Sequence, residues 1–224
     1  IAFFGEYGRG VTRLCLLFIR KNNRILSDNM VQLMVLEASE DLKFMEDYMV
    51  LENEKCCVEI KIDESYTVDS TDNRHYDVVL NPCNYKKSDI SKTFSIHVNL
   101  FESEFGIALI GPFYSYDYNC AILDDETLTI LQDKTITQIS ITDGAIIRHI
   151  EFDCFGCNFA IYKIENGYIV YGEIEITMLN HDFIKKWSFS GKDIFVSPTR
   201  KESFEIRNNT ICLYDFEDNY YEID

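Results

Sequence analysis

At 224 residues, with 46% apolar residues and a formal net charge of -17, the chain is long enough to bury a core and too hydrophobic to remain disordered. Its 38 Asp and Glu against 21 Lys and Arg repel phosphate backbones and anionic lipid headgroups. Nucleic acid and membrane are therefore not expected as partners, whereas a basic protein is attracted. The longest apolar run, residues 14–19, falls far short of the roughly 20 residues that span a bilayer. Several of the eight cysteines sit inside apolar runs (Cys15, Cys56, Cys57, Cys212), where free thiols pack as small hydrophobes. A reducing cytoplasm follows as the expected compartment.

The first 90 residues predict a small irregular α+β part. Residues 1–4 are a short apolar run, residues 5–10 (GEYGRG) are turn-rich, and residues 11–19 read as a strand or a buried helix. Residues 40–52 predict a helix, because Leu42, Met45 and Met49 fall on one face with acidic residues opposite. Residues 57–62 predict a half-buried strand, since Val58, Ile60 and Ile62 alternate with Glu59 and Lys61. A polar loop at 65–74 and a strand at 76–80 follow. Residues 81–92 (NPCNYKKSDISK) are the most linker-like stretch and set the expected boundary between a segment 1–90 and a segment 91–224.

From residue 91 onward strands and tight turns alternate without helical period. Residues 94–101 and 105–110 flank the turn ESE, and later strands are punctuated by Asp-Gly, Asn-Gly and Asn-Asn, residue types that tolerate the positive φ of tight hairpins. Asp125, Asn166 and Asn208 recur at spacings of 41 and 42. Asp143, His181 and Asp218 form a second register at 38 and 37. Such a period marks a repeat architecture whose unit is a four-stranded antiparallel sheet, the form of one propeller blade.

The units ISITDGAIIRHIEF, ITMLNHDFIKKWSF and LYDFEDNYYEID resemble the outer hairpin of bacterial β-propeller repeats of the pyrroloquinoline-quinone type. In that family a strand ending in Asp or Asn turns into a strand with a tryptophan near its end. Trp187 stands at that place, and Ile150 and Ile223 stand there in the other two units. The resemblance covers about residues 94–224 and implies a fold without an activity. Three to three and a half units fall short of the four blades that close a ring. The expected fold is therefore mainly β, with stacked four-stranded antiparallel blades forming a partial or degenerate β-propeller.

Each candidate for chemistry has a plainer reading beside it. The glycines of residues 5–10 have the spacing of a phosphate loop, but no Lys-Ser or Lys-Thr follows. Cys154 and Cys157 have metal-knuckle spacing without a second pair, so they read as a tight turn between units. His75, His97, His149 and His181 are scattered, and Cys83 has no histidine near it in sequence to activate it. Glu173 and Glu175 predict an acidic couple on one strand face. No catalytic residue, metal or cofactor is assigned. Tyr114, Tyr116 and Tyr118, in a Pro-containing connection, together with Trp187, are the candidate binding residues, because tyrosine brings large contact area at low entropic cost.

The sequence thus points to a non-catalytic protein that binds another protein through an acidic surface, in its specific form an immunity-type inhibitor of a basic toxin. The alternative is a small-ligand sensor or hydrolase using the central face of a propeller, in a pocket lined by His149, His181 or Glu173 and Glu175. A third reading is a structural domain cut from a longer chain.

Overall fold

β-Branched and aromatic residues between tight turns favour strands along most of the described residues. The computed structural model describes residues 48–112, 119–197 and 203–224. These residues form one compact unit, and all their regular elements are strands. Among them no helix is long and apolar enough to cross a membrane. The expected features at residues 1–4, 5–10 and 11–19, and residues 40–47 of the expected helix, lie outside the described residues.

Four sheets follow one another along the described residues. The first contains β1 (Tyr48–Glu52), β2 (Cys56–Ile62), β3 (Val78–Leu80), β4 (Ser91–Leu100) and β5 (Glu104–Pro112), in the spatial order β1-β2-β4-β5-β3. β3 is parallel to β5, and the other pairings are antiparallel. The second sheet is the meander β6 (Ala121–Asp124), β7 (Thr127–Gln132), β8 (Thr135–Ser140) and β9 (Ile146–Glu151). The third is the meander β10 (Asn158–Ile164), β11 (Gly167–Gly172), β12 (Glu175–Leu179) and β13 (Lys185–Ser190). The fourth has three strands, β14 (Phe204–Arg207), β15 (Thr210–Tyr214) and β16 (Tyr220–Ile223). The expectation of a mainly β chain with four-stranded antiparallel sheets is met in the second and third sheets.

Three expectations are corrected. Residues 48–52 are strand β1, not the end of a helix: Met49 pairs with Ile60 and Leu51 with Val58, Met49 is buried and Val50 is exposed. The apolar spacing that suggested a helix is overridden by an edge of β2 that this segment hydrogen-bonds. Second, β2 pairs with β4 and β3 with β5, so the boundary expected near residue 90 falls inside a sheet. Third, a single strand, β15, lies between Asn208 and Asp218, where the two preceding units place two. The Asp218 turn therefore sits at the opposite end of its sheet from the Asp143 and His181 turns. Phe216 N–H accordingly donates to Ile194 O, and Phe195 N–H to Glu173 O, at that opposite end.

The sheets stack face to face through three apolar layers. Val58, Ile60, Ile96 and Leu109 of the first sheet meet Leu128, Ile130 and Ile139 of the second. Leu131 and Ile136, on the other face of the second sheet, meet Ile161, Val170 and Leu179 of the third. Ile169, Ile176 and Met178 then meet Ile211 and Leu213 of the fourth. Each such side chain contributes about 2 kcal/mol on burial. Side by side, β1, β6 and β10 are the first strands of their sheets, and Tyr162 of β10 stacks on Phe204 of β14 at 5.0 Å between ring centres. The last strands β9 and β13 are largely exposed. The sheets formed by the described residues do not close into a ring. Gly111 of β5 leaves room for the Gln132 amide, with which a Cβ there would clash.

Phe195, fully buried between the third and fourth sheets, has Phe189 and Tyr221 as ring neighbours at 6.1 and 5.9 Å. Phe195→Ala is expected to cost about 3–5 kcal/mol in urea unfolding. The exposed Phe155→Ala is expected to stay within about 0.5 kcal/mol of the parent.

Candidate functional site

In a four-stranded meander the first and third turns share one end. Here that end gathers the turns 53–55 and 101–103 of the first sheet, 125–126 and 141–145 of the second, and 165–166 and 180–184 of the third. The 208–209 turn of the fourth sheet borders the same cleft as Glu165 and Asn166. Positive φ at Asp125, Asn208 and Asn209 explains why Asp and Asn occupy these places. Glu54, Glu102, Asp124, Asp125, Glu126, Asp143, Glu165 and Asp182 are all exposed there.

Cations answer only part of this charge. Lys55 Nζ lies 2.7 Å from Asp125 and 3.0 Å from Glu126, and these hydrogen bonds raise its pKa. Asn53 Nδ2 donates to Asp125 O at 2.9 Å. Lys163 pairs with Asp124, and Arg148 stands 3.5 Å from Asp182. Exposed pairs of this kind contribute roughly 0–1 kcal/mol each, so they align the turns of neighbouring sheets without strongly stabilising the fold.

Trp187 lies on β13 opposite Met178 of β12, and is 36% exposed. It lines a cleft of about 270 Å³ with Ile169, Ile206, Ile211 and Ile223, rimmed by Glu165 and Asp224 at the acidic end. Tyr114, Tyr116 and Tyr118 lie outside the described residues. Their flanks, Pro112 and Asn119, are at the opposite end of the sheets.

At that opposite end, residues 152–157 join the second sheet to the third. Gly156 adopts φ +73 there, and a Cβ on it would stand 2.8 Å from Ile174. Cys154 is buried and accepts from Asn158 Nδ2 at 3.0 Å, while Cys157 is exposed. Burial raises the Cys154 thiol pKa. All seven cysteines among the described residues are free. Among those residues no group of three or more His, Cys, Asp or Glu is placed to hold a metal ion.

The acidic couple expected of Glu173 and Glu175 does not form. Glu173 is in the turn before β12, whereas the buried Glu175 accepts from Lys185 Nζ at 3.0 Å and from Phe155 N–H at 3.1 Å. Burial works to raise the Glu175 pKa, but hydrogen bonds from Lys185, the Phe155 backbone and Ser188 outweigh it and leave it lowered. A cavity of about 300 Å³ nearby is lined by Lys134, Glu151, Phe152, Asp153 and Cys154. Neither this cavity nor the Trp187 cleft is lined by His149, His181, Glu173 or Glu175.

The histidines divide by role. His181 Nε2 bonds Glu165 O at 3.0 Å, and His97 stands 3.7 Å from Glu104. His149 Nδ1 lies 2.9 Å from Thr137 Oγ1, and its Nε2 lies 3.4 Å from Cys83 Sγ. Cys83 thus has a histidine beside it after all. The two are 66 positions apart, and no local motif marks the contact.

No protein-family model matches the chain, and no curated protein matches it.

A carboxylate with a lowered pKa stabilises the fold above its ordinary value near 4.5, and that stabilisation is lost as pH falls through the folded value. Glu175→Gln is expected to cost about 1–2 kcal/mol at pH 7. The difference from the parent should shrink below pH 4.5 in thermal or urea unfolding followed across pH.

Proposed function

We propose that the chain is a non-catalytic protein-binding module that engages a basic protein through its acidic turn end. Its specific form is an immunity-type inhibitor of a basic toxin, acting in a bacterial cytoplasm. The observation that carries this reading is the gathering of exposed carboxylates from three successive sheets on one end, with Lys55, Lys163 and Arg148 neutralising only some of them. A face of one sign steers an oppositely charged partner and speeds encounter. The cleft beside Trp187, opening at the same end, offers an aromatic anchor of the kind that binding surfaces use. Free cysteines support a reducing compartment.

We read the four sheets as blades of a partial β-propeller. The adjacency of first strands and the exposure of last strands support this, as does the hairpin resemblance around Trp187.

The test is capture from lysate of the source cell with the parent chain and with the combined variant Asp125→Lys, Glu126→Lys, Glu165→Lys, Asp182→Lys. The parent should recover a basic protein whose association slows as salt rises, and the variant should lose at least tenfold in association rate. Equal recovery by both chains, or recovery of no basic protein by the parent, overturns the reading.

A further inference from the structure

At the end of the sheets opposite the acidic turns, the 81–85 turn lays Cys83 against the outer strand β9. We propose that Cys83 is a nucleophilic thiol with His149 as its general base, a pair that accepts an acyl group from neutral or cationic thioesters and esters.

The geometry supplies three parts of such a site. Cys83 is exposed, so an electrophile can reach Sγ. His149 is half-buried, with Nε2 at 3.4 Å from that sulfur. Thr137, buried and directly across from His149 in the β8–β9 ladder, holds Nδ1 at 2.9 Å. When Nδ1–H donates to the Thr137 hydroxyl, the Nε2 lone pair faces the thiol, which is the tautomer a general base needs. Thr137 is thus a positioning residue.

The turn that carries the sulfur is braced on both sides. The Asn81 side chain accepts from Tyr85 N–H and donates to Tyr85 O, both at 2.8 Å. Asn84 N–H donates to Asn81 O at 3.1 Å, and Asn84 takes φ +56. Just before this turn, β3 is fixed by its parallel pairing with β5. A sulfur held this firmly spends little entropy in meeting its base.

Protonation at neutral pH follows from the surroundings. Partial desolvation of the otherwise exposed sulfur, and then the charge of Glu151, raise the Cys83 pKa. Burial lowers the His149 pKa, with Glu151 opposing it. Tyr85, the other titratable group at the turn, has its own pKa raised by burial first. The resting pair is therefore a neutral thiol beside a neutral imidazole, and the proton moves only as the sulfur attacks. Glu151 also lines the cavity of about 300 Å³, together with Asp153 and Lys134. Its charge disfavours anionic acyl donors and leaves neutral or cationic ones as the matching class.

The step balances without a further reagent. Sγ bonds to the carbonyl carbon while its proton passes to His149 Nε2 and the carbonyl electron pair moves to oxygen. On collapse the donor's C–S or C–O bond breaks, and the leaving sulfur or oxygen takes the proton from Nε2. The products are S-acyl Cys83 and a free thiol or alcohol.

The full chain incubated with 4-nitrophenyl acetate, a neutral activated ester, tests this by nitrophenolate release and by mass spectrometry of the acetylated peptides. Cys83 should carry the acetyl group ahead of Cys157, which is also exposed, on the 152–157 connection. The rate at Cys83 should rise with pH through an inflection below 6.5, where His149 loses its proton. Cys83→Ala should abolish the fast release. His149→Gln should slow Cys83 acetylation at least tenfold, and Thr137→Val should move the inflection. The proposal is overturned if Cys157 labels as fast as Cys83, or if His149→Gln, shown to be folded by its circular dichroism, leaves the rate unchanged. A parent rate that follows only a thiolate titration above pH 9 overturns it as well.

Discussion

Everything in this structure depends on sheets that bury both faces. A sheet lying between two others cannot present a polar side, so its middle strands lose the alternation of a half-buried strand and become continuously apolar. β7, β11 and β12 show this: from Leu128 to Gln132, from Gly167 to Gly172 and from Glu175 to Leu179, every residue is buried. The same constraint decides what polar groups may enter. Thr129, Thr137 and Thr177 are tolerated because a hydroxyl can bond within the layer, and Glu175 because Lys185 and the Phe155 amide meet it.

The constraint also locates charge. With faces and middle strands committed to packing, ionic residues are left to turns and outer strands. The tight turns favour Asp and Asn on backbone grounds, since Asp125, Asp133, Asn208 and Asp218 all adopt positive φ. Meander topology then sorts these turns onto two ends. Of the carboxylates at the acidic end, Asp125 owes its place to turn stereochemistry, whereas Asp133 and Asp218 occupy turns at the other end.

Much of the β architecture was legible because it is local. Turn residues at repeated spacing gave the hairpins, and the alternation of Val58 and Ile60 gave β2 its buried face. What failed was non-local. Residues 48–52 carry apolar spacing compatible with a helix, and only pairing with β2 makes them a strand. The parallel insertion of β3 beside β5 has no turn to announce it. The shortened fourth sheet was concealed because a turn residue recurs at nearly the right distance although one strand fewer precedes it. Among the candidate binding residues, Trp187 was singled out by its place in a hairpin. The meeting of Cys83 with His149 could not be, because it depends on where the 63–90 excursion returns.

That excursion has a consequence for how the chain assembles. The second and third sheets are built from successive short turns, so each strand meets its partner with little chain to close. β2 must instead wait for β4 across residues 63–90, which costs about 2 kcal/mol more in loop-closure free energy than a turn of two or three residues. Contacts close in sequence form before distant ones. The first, five-stranded sheet is therefore expected to complete after the second and third meanders, packing against the apolar face of Leu128, Ile130 and Ile139.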